Sequence, residues 1–149
     1  MKVERIDHVH LYVNDLEKVA KFLSTIMDIK FVDPRAGESG RNVKVAFDNK
    51  IGLELVQPIL PDHPIAKYMD KHGEGVATIG LKVPDIEEAI AELEANGIKV
   101  LKRAERGNRK FALMDDKNAY GIQLELVEYD SVQGTTLSIL GRMDNLPWM

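Results

Sequence analysis

Gly52-Leu53-Glu54-Leu55-Val56 returns further along the chain as Gln123-Leu124-Glu125-Leu126-Val127. Each stretch sets one acidic residue inside an apolar, strand-like run, and the two glutamates are 125 − 54 = 71 residues apart. A second echo has nearly the same spacing. Val13-Asn14-Asp15-Leu16-Glu17-Lys18 reappears as Val83-Pro84-Asp85-Ile86-Glu87-Glu88, offset by 83 − 13 = 70 residues. A chain that repeats itself once at half its length reads as a duplicated fold with pseudo-two-fold symmetry. Equivalent inward-facing residues of the two halves then converge on one central site.

Working outward from the repeats, residues 6 to 13 alternate: Val9, Leu11 and Val13 share one face, and His8, His10 and Tyr12 share the other. Asn14 is expected to cap a helix, with Glu17 in capping-box position and Leu16, Val19, Ala20, Leu23, Ile26 and Met27 at helical spacing. A strand is expected near 28–32, a loop over 33–41, and strands over 43–47 and 51–57 around an Asp48-Asn49 turn. Residues 58–64 connect to a short helix over 65–71, ending at Gly73. The pattern then restarts with a strand over 76–83. Asp85 caps the next helix with Glu88 in the box position, and Ile86, Ala89, Ile90 and Leu93 form its buried stripe, closed by Gly97. Strands near 98–102, 109–114 and 121–128 complete the half.

Each half is therefore strand, helix and three strands. The expectation is one α+β domain over 1–149, built from tandem βαβββ modules that form a curved sheet around a central cup. Module 1 covers about 5–58, a connector 59–74, module 2 about 75–128, and an extension 129–149. The extension carries Leu137, Ile139, Leu140, Leu146 and Trp148, and is expected to pack on the body or on a partner subunit.

Bulk composition narrows the function classes. Charged residues are 30% and hydrophobic residues 44% of the chain, the balance of a globular domain. A net charge of −4 argues against general nucleic-acid binding, which needs a basic face to offset phosphates. The absence of cysteine excludes disulfides, thiolate catalysis and Cys-ligated zinc. The N-terminal residues hold no apolar signal core and no run approaches membrane-spanning length, so a cytoplasmic location is expected.

Glu54 and Glu125 each interrupt an apolar strand, and a carboxylate buried without a partner is expensive. Two at repeat-related positions imply a shared cation, a shared proton or nearby water; a solvated sheet face is the plainer alternative. Two carboxylates brought close without a metal should have one pKa strongly raised, which yields a general base near neutral pH. His8 and His10 sit on the polar face of the first strand, where a hydrogen-bonded interior role or a pocket wall competes with metal ligation. Lys102, Arg103, Arg106, Arg109 and Lys110 form a basic cluster expected between two strands, either a solvated run or a seat for an anionic group.

The βαβββ order repeated twice, with His8 on a first strand and Glu54 and Glu125 on last strands, resembles the vicinal oxygen chelate superfamily of glyoxalases, bleomycin resistance proteins and dioxygenases. Gly52-Leu-Glu-Leu-Val-Gln-Pro58, Pro64-Ile-Ala-Lys-Tyr-Met-Asp-Lys-His-Gly73 and Ile6-Asp7-His8-Val9 are most similar to methylmalonyl-CoA epimerases. The resemblance implies a divalent metal (Co, Mn, Ni, Zn or Fe) held by His8, Glu54 and Glu125, with position 78 completing the set. Thr78 departs from the histidine of the enzymes resembled, and a hydroxyl is a weaker ligand for such metals than imidazole. An extradiol-type iron site, with two histidines and one carboxylate, fits less well for the same reason.

The resemblance further implies a homodimer acting on a small carbonyl or acyl-thioester substrate. Glu125 and Glu54 are the catalytic candidates, for proton abstraction alpha to the carbonyl. His10, Thr78 and Arg109 are expected in the substrate pocket, and Glu38 falls near a further catalytic glutamate of the epimerases. A glyoxalase-I-like lyase and a metal-free small-molecule-binding protein on the same fold are the alternatives.

Overall fold

The computed structural model describes residues 1–33, 39–48, 50–106 and 108–130. Its elements are β1 (Arg5–Tyr12), α1 (Leu16–Met27), β2 (Phe31–Val32), β3 (Val43–Asp48), β4 (Leu53–Pro58), α2 (Pro64–His72), β5 (Gly75–Lys82), α3 (Ile86–Ala95), β6 (Val100–Arg106), β7 (Arg109–Met114) and β8 (Gln123–Glu128). Eight strands form one curved open sheet in the order β2-β3-β4-β1-β5-β8-β7-β6. Within each half the first strand pairs in parallel with the last, β1 with β4 and β5 with β8. The halves join where β1 runs antiparallel to β5. The expected α+β fold of two βαβββ units is present, and the first strands of both units lie side by side at its centre.

Strand alternation divides the sheet into two faces. On one, α1 covers Val13, Ala46 and Leu55, and α3 covers Val83, Ala112, Met114 and Leu126. Leu55 and Leu126 are both fully enclosed and are related by the repeat, 126 − 55 = 71 residues apart. The residues between them in the alternation, Glu54 and Glu125, turn to the opposite face. There α2 closes one end by packing Met69, Ile65 and Tyr68 against Tyr12, Val45, Val56 and Ala77.

Helix starts repeat the symmetry. Asp15 caps α1 by accepting from Lys18 N at 3.0 Å, and Asp85 caps α3 by accepting from Glu88 N at 3.0 Å. The cap of α1 is thus Asp15 rather than the expected Asn14, whose own backbone N–H donates to Glu74 at 2.6 Å. The last strands supply a further acceptor to each helix start. Gln57 Oε1 takes the Leu16 N–H at 2.9 Å, and Glu128 Oε2 takes the Ile86 N–H at 2.8 Å.

Glu128 makes a pH prediction possible. Its bond to Ile86 N and its pairing with Lys110 hold the carboxyl below the ordinary glutamate range. A depressed folded-state pKa stabilises the protein above the unfolded value and is lost as pH falls through the folded one. Glu128→Gln is therefore expected to lower stability at pH 7 by about 0.3–1 kcal/mol, the worth of a charge at a helix N-terminus. The difference from wild type should vanish in acid, which thermal unfolding at pH 7 and pH 3 would show.

Several boundaries differ from expectation. β4 begins at Leu53 because the Asp48 carboxylate accepts from Lys50 N at 2.8 Å, Ile51 N at 2.7 Å and Leu53 N, folding residues 50–52 into the turn. β2 has two residues rather than five. β6 extends through Arg106, so the basic residues lie on a β6–β7 hairpin rather than between strands. Two of its charges are spent locally, Arg103 on Glu87 and Lys110 on Glu128. Glu38, Asn49 and the apolar stretch Leu137 to Trp148 lie outside the described residues.

Candidate functional site

His8 and His10 leave the same face of β1, as residues two apart on a strand do. β4 sets Glu54 beside His10, while β5 sets Gly80 beside His8 and Thr78 beside His10. β8, next to β5, aligns Glu125 with Gly80. Four polar side chains thus meet at the junction of the halves. His8 Nε2 is 3.1 Å from Glu125 Oε1 and 4.0 Å from Glu54 Oε2. His10 Nε2 is 3.1 Å from Glu54 Oε2 and 3.9 Å from Glu125 Oε1. The imidazoles stack with centroids 4.7 Å apart and planes 22° apart.

Behind the cluster a chain of hydrogen bonds fixes His8. Asp7 Oδ2 lies 2.9 Å from Nδ1, the Tyr129 hydroxyl donates to Asp7 Oδ1 at 2.6 Å, and the Arg5 guanidinium donates to that hydroxyl. With Nδ1 facing a carboxylate, Nε2 is the nitrogen presented to the site, the arrangement by which outer partners orient a ligating histidine.

The electrostatics follow from two imidazoles set among carboxylates. Burial alone would depress His8, but its hydrogen bonds to Asp7 and Glu125 and the charges of Glu125 and Glu54 outweigh it and raise the pKa to about 10. Burial works the same way on His10, and the charges of Glu54 and Glu125 again prevail and raise it. Burial pushes Glu125 up, yet His10 and His8 hold it below its ordinary value. The raised carboxyl expected of two carboxylates brought close is therefore not found at Glu125, because imidazoles stand beside it.

The residues fit a divalent cation. His8, His10 and Glu125 each offer a ligand atom within 4.8 Å of the other two. Ligands about 2.1 Å from a metal sit about 3.0 Å apart when adjacent and about 4.2 Å apart when opposite in an octahedron. The separations of 3.1, 3.9 and 4.0 Å span that range. Nε2 of His10 is buried and has no aligned hydrogen-bond acceptor, although Glu54 Oε2 is 3.1 Å away. Imidazole nitrogen with carboxylate oxygen is a donor set suited to Zn, Fe, Co, Ni or Mn.

Residues 7–113 match the family described as the glyoxalase/bleomycin resistance protein/dioxygenase superfamily. The chain belongs to that superfamily. An uncharacterized protein of Bacillus subtilis is 24% identical over 131 residues, covering 85% of this chain and 93% of that protein. Human mitochondrial methylmalonyl-CoA epimerase is 28% identical over 128 residues, covering 82% of this chain and 72% of the epimerase. The crystal structure of methylmalonyl-CoA epimerase from Mycobacterium tuberculosis superposes with a TM-score of 0.72 at 25% identity, covering 86% of this chain and 89% of that one.

At position 78 the side chain is engaged within the protein. Thr78 is fully buried; its hydroxyl donates to Gln123 Oε1 at 2.8 Å and lies 3.4 Å from the Tyr12 hydroxyl. Arg109 is buried on β7 with its guanidinium over Phe111. The β7 residue in register with Glu125 is Leu113, four positions on, or roughly 13 Å along a strand.

Asp7, Gln123 and Tyr129 were not foreseeable as parts of the site with equal ease. Gln123 shares a strand face with Glu125, which period-two counting could have flagged. Asp7 should face away from His8 by the same count, but it lies at a register shift between Ile6 and His8. Among the described residues no helix is long and apolar enough to cross a membrane.

One solution measurement follows directly. Histidines protonated in the metal-free protein must lose those protons to bind a cation. With His8 raised to about 10 and His10 raised as well, cation binding at pH 7 should release protons and should tighten as pH rises. Titration calorimetry in two buffers of different ionisation enthalpy would show a buffer-dependent heat; equal heats would contradict it.

Proposed function

We propose that this protein is a divalent-metal-assisted isomerase that moves a proton at the carbon alpha to a carbonyl, most fittingly in an acyl-CoA thioester. The observation that carries this reading is the enclosed meeting of His8, Glu54 and Glu125 at the junction of the modules, in a chain 28% identical to human mitochondrial methylmalonyl-CoA epimerase. His8, Glu54 and Glu125 would hold the cation. A bound cation supplies Lewis-acid polarisation of the carbonyl, which makes the α-proton more acidic.

The protein's own groups do the rest. Glu125, kept ionised at neutral pH by the neighbouring imidazoles, is fitted to take the α-proton as the C–H pair moves toward the carbonyl oxygen. Glu54 approaches from β4, on the other side of β1; a proton taken from solvent and delivered from that side to the opposite face would invert the carbon, while Glu125 releases the abstracted proton to solvent. The Asp7–Tyr129–Arg5 chain keeps His8 oriented throughout.

The test is α-deuterium incorporation into a 2-methyl-branched acyl-CoA carrying a second carboxylate, in D2O, with protein loaded with Co, Mn, Ni, Zn or Fe. Exchange with epimerisation supports the reading, and its absence with every metal overturns it. A metal-free ligand-binding protein is favoured by one observation, the engaged hydroxyl of Thr78. Elemental mass spectrometry after metal loading separates the two, because that protein would retain no metal.

A further inference from the structure

The pseudo-two-fold axis of the sheet passes through the Val9–Ile79 pair of β1 and β5, with His8–Gly80 and His10–Thr78 as the flanking pairs. The repeat offset exchanges these two pairs, since 78 − 8 = 70 and 80 − 10 = 70. Strict symmetry would place an imidazole at position 78 to match His8, one from each half. This chain instead has threonine at 78 and glycine at 80. Both imidazoles of the cluster come from β1.

Three observations tie the departures together. His10 is the direct cross-strand neighbour of Thr78, and it stacks on His8 with its Nε2 turned to the carboxylates. Gly80 is the residue against which His8 lies: a Cβ there would stand 2.5 Å from Cε1, 2.6 Å from Nε2 and 2.7 Å from Nδ1 of the ring. Only glycine lets His8 lean over β5 and leaves room for a second ring at its back. The β1–β5 register also shifts on both sides of this segment, between Ile6 and His8 and between His10 and Leu11. Such irregularities re-aim side chains.

We infer that His10 is the second imidazole of the metal centre, supplied from β1 in place of the one missing at position 78, with Gly80 making the room. The inference rests on the metal-dependent reading above and adds a ligand to it. It also explains how the site keeps two imidazoles while Thr78 is committed to Gln123.

The experiment compares wild type with His10→Gln, His10→Ala and Thr78→Val by Co(II) and Zn(II) titration, and by pulsed EPR of the Cu(II)-loaded proteins, which counts coordinated imidazoles. Wild type and Thr78→Val should show two imidazoles. His10→Gln should show one, with affinity reduced at least about 100-fold, more than the loss of an outer-sphere partner costs. Should His10→Gln fail to fold, as judged by circular dichroism, added imidazole should restore cation binding to His10→Ala, and a lack of restoration would count against the inference. Wild-type affinity and an unchanged imidazole count in His10→Gln would overturn the inference and leave the proposed function standing. A wild-type protein that binds none of these cations would overturn both.

Discussion

Glu125→Gln is expected to slow α-proton exchange by about 10²–10⁴-fold, the range that a positioned acid or base contributes. The substitution preserves side-chain size and removes the charge. It takes away both the proton acceptor and the partner 3.1 Å from His8 Nε2. Glu54→Gln is expected to match it in epimerisation, because inversion needs a proton delivered to the face opposite the one that lost it. The two variants differ in a useful way: an enzyme lacking only the returning group still exchanges the first proton. Deuterium incorporation followed separately from epimer ratio would therefore show which carboxylate faces which side. If both variants kept wild-type exchange and wild-type inversion, neither carboxylate would be the base.

Gly80→Ala has the second largest expected effect, and it acts by steric contact with the His8 ring rather than by removing a charge. The added methyl would lie within 2.7 Å of three atoms of the His8 ring, and that ring is buried, with Nδ1 facing Asp7. Overpacking of this kind typically costs about 1–3 kcal/mol. In a domain of this size each kcal/mol lowers Tm by roughly 2–4 °C. Cation affinity should fall together with Tm, since His8 cannot keep both its contact with Asp7 and its approach to Glu125. Differential scanning calorimetry with a metal titration checks both; an unchanged Tm with unchanged affinity would mean that His8 does not rest on β5.

How much of this was legible beforehand depends on the kind of interaction involved. Alternation along residues 6–13 and the repeated Leu-Glu-Leu-Val motif reported the strands and their buried faces, because side-chain direction on a strand has a fixed period of two. The helices were equally plain from the stripe Ile86, Ala89, Ile90, Leu93, which α3 buries. Their ends were harder. Asn14 and Asp15 are both competent caps; Asp15 takes the role by accepting from Lys18 N, while the Asn14 N–H donates to Glu74, distant in sequence. β6 ran past its expected end because pairing with β7 carries charged residues along a hairpin.

The sequence by itself determined the duplication and the βαβββ order, since both follow from periodicity and from a fixed offset, while the family resemblance implied that His8, Glu54 and Glu125 share one site. Only the tertiary structure decided what those residues meet. The pairing of β1 with β5 set His10 beside Thr78 and His8 against Gly80. It thereby put imidazoles among the carboxylates and held Glu125 ionised, where two carboxylates alone would have had to share a proton. Contacts of this kind depend on strand register across the halves. A register is the joint outcome of every pair in the sheet, and no local stretch of residues encodes it.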